Sequence, residues 1–164
     1  MSEANFFVAL FHRHGVEFIL IGGQAEAIFG SPRVTYDTDV CYRRTPENVK
    51  RLGAALQEVQ ARPRGLAEGL PTPLVDASAL ALALNFTLSS SQGDIDLLVE
   101  VPPLGNYDAV LRNAEMHPVN GVMTPTISLE DLLRVKRHIK RDKDLESIKQ
   151  LEAIVQTRAQ QGGA

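Results

Sequence analysis

The chain has 164 residues, 44% of them apolar and 23% charged, with a formal net charge of −3. That length suits one domain with its own core, and the composition excludes a disordered chain. The mildly acidic balance excludes a protein that coats nucleic acid without regard to sequence. No stretch approaches the roughly 18 uninterrupted apolar residues of a membrane helix, and residues 1–15 show no signal-peptide pattern. A cytoplasmic protein with no membrane partner is therefore expected. Cys41 is the single cysteine, which excludes an internal disulfide and a cysteine-based zinc site. It is expected as a small buried side chain rather than a nucleophile.

Residues 3–14 place Phe6, Phe7, Leu10 and Phe11 at the spacing of an amphipathic helix, with Gly15 as its stop. His12 and His14 do not share a helix face and read as a solvated helix end. Phe18 to Ile21 is a buried strand. Gly22-Gly23 turns the chain into a short helix, and Gly30-Ser31-Pro32 makes a further turn. A second strand then carries Asp37 and Asp39. Alternation puts Tyr36, Thr38, Val40 and Tyr42 on one face, which packs, and Thr35, Asp37, Asp39 and Cys41 on the other, which is acidic. Carboxylates suit strands poorly and like charges on one face repel, so a positive partner is expected there. Residues two apart on a strand lie roughly 6.5–7 Å apart at Cα, so both acids can converge on one ion or clamp a pair. The plainer alternative is a half-exposed strand whose polar face is acidic. The glycine pair before it bears on the choice. A helix N-terminus binds phosphate and glycine lets the backbone come close, although a tight turn also needs glycine for its dihedrals alone. Neither G-x-G-x-x-G nor a P-loop is present.

Thr45-Pro46-Glu47 reads as a helix N-cap, a first-turn proline and a first-turn acid. Val49, Leu52, Leu56 and Val59 continue that helix to about Gln60. Residues 61–75, rich in Arg, Pro and Gly, read as a loop, and a short helix or irregular segment follows Asp76. Residues 84–101 read as a hairpin turning at Gln92-Gly93, with Asp94 to Val101 as the return strand. Asp96 sits between apolar neighbours on that strand and is the candidate third carboxylate; Asp94 is the runner-up and reads as a turn residue. Pro102-Pro103 ends the strand. Asn106 to Glu115 has helical spacing, and residues 116–126 resemble a hairpin with a type I′ turn at Asn120-Gly121. Ser128-Leu-Glu-Asp131 has the serine-acid spacing of a capping box. The stripe Leu129, Leu132 and Leu133 continues at Lys136, Ile139 and Lys140, so Lys136 either snorkels or is aimed at a buried anion. A last helix over about Lys143–Arg158 has Leu145, Ile148, Leu151, Ile154 and Val155 as its core face. One domain, 1–159, is expected to be followed by a disordered tail, 160–164.

Gly22-Gly23, Asp37-x-Asp39 and Ile95-Asp96-Leu97 together resemble the DNA polymerase beta-type nucleotidyltransferase superfamily. Within it the chain is similar to the small bacterial branch of AbiEii-type toxins and minimal nucleotidyltransferases, through Leu129 to Arg137 and Lys143-Asp144. At 164 residues it is expected to be without the additional helical domain of the AbiEii-type toxins. The resemblance implies an α/β (α+β) single domain with a mixed sheet flanked by helices. It also implies transfer of a nucleoside monophosphate from an NTP to a hydroxyl on an RNA end or protein side chain, with a cognate antitoxin as partner. Asp37, Asp39 and Asp96 would then be catalytic and hold Mg2+ or Mn2+. Gly22, Gly23 and Lys136 would bind the triphosphate, with Arg33, Thr35, Lys143 and Asp144 as further nucleotide contacts. Two other readings stand beside it. One is a catalytically silent relative that binds a nucleotide or partner on the same scaffold. The other is an RNA-binding module built on the basic run 134–143, for which 5% aromatic residues and no tryptophan leave few stacking platforms.

Overall fold

Both faces of the central strands are apolar, which fixes a sheet covered by helices on each side. The computed structural model describes residues 3–32, 35–65, 74–139 and 141–162. In chain order the elements are α1 (Glu3–Arg13), β1 (Phe18–Ile21), α2 (Gly22–Ile28), β2 (Thr38–Tyr42), α3 (Pro46–Glu58), β3 (Arg62–Pro63), α4 (Ala77–Leu80), β4 (Phe86–Ser90) and β5 (Gly93–Leu98). They continue with β6 (Glu100–Val101), β7 (Gly105–Asn106), α5 (Tyr107–Leu111), β8 (Glu115–Val119), β9 (Val122–Thr126), α6 (Leu129–Ile139), a 3-10 turn (Asp142–Asp144) and α7 (Leu145–Gly162). The main sheet has seven strands in the order β3-β4-β5-β2-β1-β9-β8, and β6 and β7 form a separate pair. It is mixed: β1 runs antiparallel to β2 and parallel to β9, while β2 runs parallel to β5.

Alternation sorts the central strands between two cores. Phe18, Leu20, Val40, Tyr42, Ile95 and Leu97 pack with Phe7, Phe11, Leu52 and Leu56 of α1 and α3. Ile19, Ile21 and Cys41 face the other way and pack with Leu129, Leu132 and Leu151 of α6 and α7. Asp39 and Asp96 lie on this second face, so the acidic surface is apolar at one end and charged at the other. Burial pushes the Cys41 thiol up to about 12, as suits a packing residue.

Local chemistry explains most boundaries. Gly15 adopts φ +70° and lets Val16 N–H close on Phe11 O at 2.9 Å, ending α1. Thr45 accepts from Asn48 N–H at 3.2 Å and Pro46 opens α3. Ser128 Oγ accepts from Asp131 N–H at 3.1 Å and starts α6. Asn120 and Gly121 both have positive φ, the requirement of a type I′ turn, and join β8 to β9.

Several expectations are corrected. β2 begins at Thr38, so Asp37 stands on the approach to the strand rather than within it. Residues 61–75 are not all loop, because Arg62 and Pro63 pair with Ser89 and Leu88 at the sheet edge. The hairpin turns at Ser91-Gln92, and Gly93 already pairs with Ser90. The return strand stops at Leu98, since Glu100 and Val101 pair with β7 instead. Asp94 is therefore a strand residue. Leu145 and Ile139 are exposed rather than core, because the 3-10 turn between α6 and α7 buries Asp144 in their place. α7 runs from Leu145 to Gly162.

Candidate active site

The site begins with strand register. β2 and β5 lie side by side and parallel, with Asp39 opposite Asp96, so both side chains leave the same face of adjacent strands. The two carboxyl groups therefore crowd one another. Burial first, and then the charges of Asp96 and Asp37, push the Asp39 carboxyl up to about 7, while Arg64 acts against the rise. Asp37 stands at the rim with its side chain half exposed. The three acids expected from sequence thus meet in one place.

Arg64 is the residue that sequence reading missed. The short edge strand β3 delivers it across β4 to the acids. One guanidinium nitrogen donates to Asp94 at 3.0 Å and lies 4.0 Å from Asp37, and the other donates to Asp96. Burial acts to lower the Arg64 pKa, but Asp96 and Asp94 outweigh it and the net shift is upward. Arg64 therefore supplies positive charge to the cluster. Among the described residues, no three His, Cys, Asp or Glu side chains form a ready metal-binding group.

The glycine pair closes a second side. Gly22 has φ +67°, and a Cβ there would collide with the Asp39 carboxylate. A Cβ on Gly23 would come within 2.7 Å of Thr35 Oγ1. Glycine at both positions lets the β1–α2 turn press directly against the acid and the threonine.

Lys136 does not snorkel. Its ammonium is buried 2.6 Å from Glu26 Oε1 and donates to Asp144 Oδ1 at 3.4 Å. Glu26 and Asp144 are themselves 2% and 1% exposed, so Lys136 is the cation that makes their burial tolerable. Arg141 also donates to Asp144, through Nε at 2.7 Å. Burial acts to raise the Asp144 pKa, but Arg141 and Lys136 hold it below the usual carboxylate range. Glu26 was not anticipated; the signal was an acid on the helix directly after the glycine turn.

Arg64 and Asp94 apart, these residues line one cleft of about 290 Å³, where Gly22, Gly23, Thr35, Asp37, Asp39, Asp96, Lys136, Lys143 and Asp144 come together. Arg33 lies outside the described residues. Among the described residues no helix is long and apolar enough to cross a membrane.

No family model matches the sequence, and no curated protein is similar to it. Solved structures are. The lincosamide antibiotic adenylyltransferase LnuA, bound to lincomycin, superposes with a TM-score of 0.63 at 15% identity, over 93% of this chain and 96% of its own. The chain has a nucleotidyltransferase fold. The antibiotic-resistance factor ANT(2'')-Ia follows with a TM-score of 0.54 at 12% identity, over 95% of this chain and 89% of its own. A provisionally assigned nucleotidyltransferase of Thermotoga maritima gives 0.51 at 14%, over 92% and 94%. At such identities the nucleotidyltransferase fold is what is shared.

Proposed function

We propose that this chain moves a nucleoside monophosphate from an NTP to a hydroxyl acceptor and releases pyrophosphate, assisted by magnesium or manganese. The observation that carries the reading is the register that sets Asp39 beside Asp96, with Asp37, Gly22-Gly23 and Lys136 around the same cleft. The fit to a divalent ion is supported by crowded carboxylates that Arg64 offsets only in part, since Asp39 is still pushed up to about 7 by burial and its acidic neighbours. Asp37, Asp39 and Asp96 would hold it, and all-oxygen donors suit a hard cation. Bound there, the ion lowers the pKa of the attacking hydroxyl and offsets charge on the entering and leaving oxygens.

The chain's own residues do the rest. Asp96 accepts the proton of the attacking hydroxyl. Its oxygen bonds to the α-phosphorus, the bond to the bridging oxygen breaks, and pyrophosphate departs with that electron pair. Gly22 and Gly23 cradle the triphosphate, Lys143 offsets its charge, Lys136 holds Glu26 and Asp144 in place beneath it, and Thr35 and Asp144 line the nucleotide side, with Arg33 proposed as a further nucleotide contact. On this reading the chain is a minimal polymerase beta-type enzyme of the cytoplasm, related to the AbiEii-type branch, with a cognate antitoxin as the partner to seek by co-purification. The acceptor classes are an RNA end, a protein side chain or, from the antibiotics in the names of two structural neighbours, a small molecule.

Arg64, lying across Asp94 and Asp96, favours a second reading, a catalytically silent nucleotide binder. One experiment separates the two: α-labelled NTPs with and without magnesium, followed for pyrophosphate release. Release that needs magnesium and disappears in Asp39→Ala and Asp96→Asn is expected. NTP binding without release supports the silent reading, and release that survives Asp96→Asn refutes the assignment of the base.

A further inference from the structure

We infer that a second chamber beside the cleft is the acceptor subsite, and that the acceptor is a compact, apolar-bodied alcohol, uncharged or cationic. The inference rests on the nucleotidyl-transfer reading and names its missing substrate class. The chamber has the same volume as the cleft, about 290 Å³, and shares Gly22, Asp39, Asp96, Lys136 and Arg141 with it. Beyond those residues the linings diverge. The cleft continues to Gly23, Thr35, Asp37 and Lys143, whereas the chamber continues to Asn85, Thr87, Leu98, Leu132, Val135 and Ile139.

Direction of attack assigns the chamber. Displacement at phosphorus is in line, so the nucleophile enters opposite the leaving pyrophosphate. With the phosphate tail among Gly23, Thr35 and Lys143, the open approach to Asp96 is from the chamber. There the alcohol gives its proton to Asp96, its oxygen bonds to the α-phosphorus, and pyrophosphate leaves the NTP.

Size and charge then select the acceptor. At the low end of ligand-site volumes, the chamber holds a compact molecule. Its lysine and arginine are already engaged, Lys136 with Glu26 and Asp144 and Arg141 with Asp144. What faces an incoming ligand is therefore mostly apolar surface, with Asn85 and Thr87 on the β4 side and carboxylates at its inner end. An RNA end finds no aromatic platform among these lining side chains, where strand binders use several, because Phe86 leaves the other face of β4 with Leu97. Ile139, 45% exposed, carries the apolar lining out to the rim.

The test uses 4-phenylbutan-1-ol as the probe, titrated by ligand-observed NMR against wild type, Val135→Trp, which fills the chamber, and Ile139→Asp, which charges its exposed rim. Magnesium-ATP binding is measured on each, and unfolding curves confirm that each is folded. Both variants are expected to weaken the probe by about tenfold and to leave ATP affinity within about twofold. Adenylyl transfer from ATP to the probe should exceed transfer to a single-stranded RNA 3′ end. The inference is overturned if wild type binds ATP but not the probe, if neither variant weakens the probe, or if RNA is the better acceptor. Parallel loss of ATP and probe affinity overturns it too, because the nucleobase then fills the chamber. If wild type binds the probe but neither ATP nor tripolyphosphate, the transferase reading fails, and the acceptor assignment with it.

Discussion

Asp39→Asn isolates the electrostatics of the site. In the metal-free protein Asp39 titrates at about 7 instead of its ordinary 3.8. A carboxyl raised on folding contributes its full stability below the lower value and loses it as pH climbs through the higher one. The loss over that window is at most about 4 kcal/mol, and rearrangement of Asp37 and Arg64 around the ionised pair reduces it. Asparagine keeps the shape and cannot ionise. The variant's advantage over wild type should therefore widen by about 1–3 kcal/mol between pH 5 and pH 8, or roughly 3–9 °C in Tm for a domain of this size. Thermal unfolding in EDTA at several pH values reads this directly. Millimolar magnesium should then recover the wild type at pH 8 and do little for the variant. A gap that is constant with pH, or an asparagine variant that is the less stable at pH 8, would refute the argument from crowded charge.

Three further outcomes follow from the contacts. Lys136→Met strands Glu26 and Asp144 as buried anions and should destabilise by about 3–5 kcal/mol in urea unfolding, with Glu26→Gln in the same chain restoring part of the loss. Gly22→Ala forces a Cβ into the Asp39 carboxylate at φ +67° and should lower stability by about 1–3 kcal/mol in thermal unfolding. Arg64→Gln removes the guanidinium from Asp94 and Asp96 and should tighten Mn2+ binding about tenfold by paramagnetic resonance titration; equal or weaker binding means that Arg64 does not compete for that charge.

The acids were legible because their signals are local. Period-two alternation placed Asp39 with Cys41 and Asp96 with Leu98 on one face, and the register then made the two acids neighbours. The glycine turn and the caps at Thr45 and Ser128 were legible for the same reason. What escaped is non-local. Arg64 sits in a stretch whose Arg, Pro and Gly content signals loop, and only pairing with β4 carries it to Asp96. The amphipathic stripe of α6 left Lys136 either snorkelling or aimed at a buried anion, and its partner Glu26, on a helix far away in sequence, is found only once the layers are packed. The break at Leu98 escaped because β6 pairs with β7 rather than continuing the strand, a choice that apolar spacing does not encode.

The parallel pairing of β2 with β5 also sets where the polypeptide accepts an insertion. Ser91 and Gln92 form an exposed tip, and residues added there lengthen a loop without disturbing the strands. One residue added between Gly93 and Ile95 would rotate everything beyond it by half a period, sending Asp96 into the core of Phe7 and Leu56 and bringing Ile95 out beside Asp39. An epitope tag placed at the tip should leave the chemistry intact, while a single-codon insertion a few positions later should remove it.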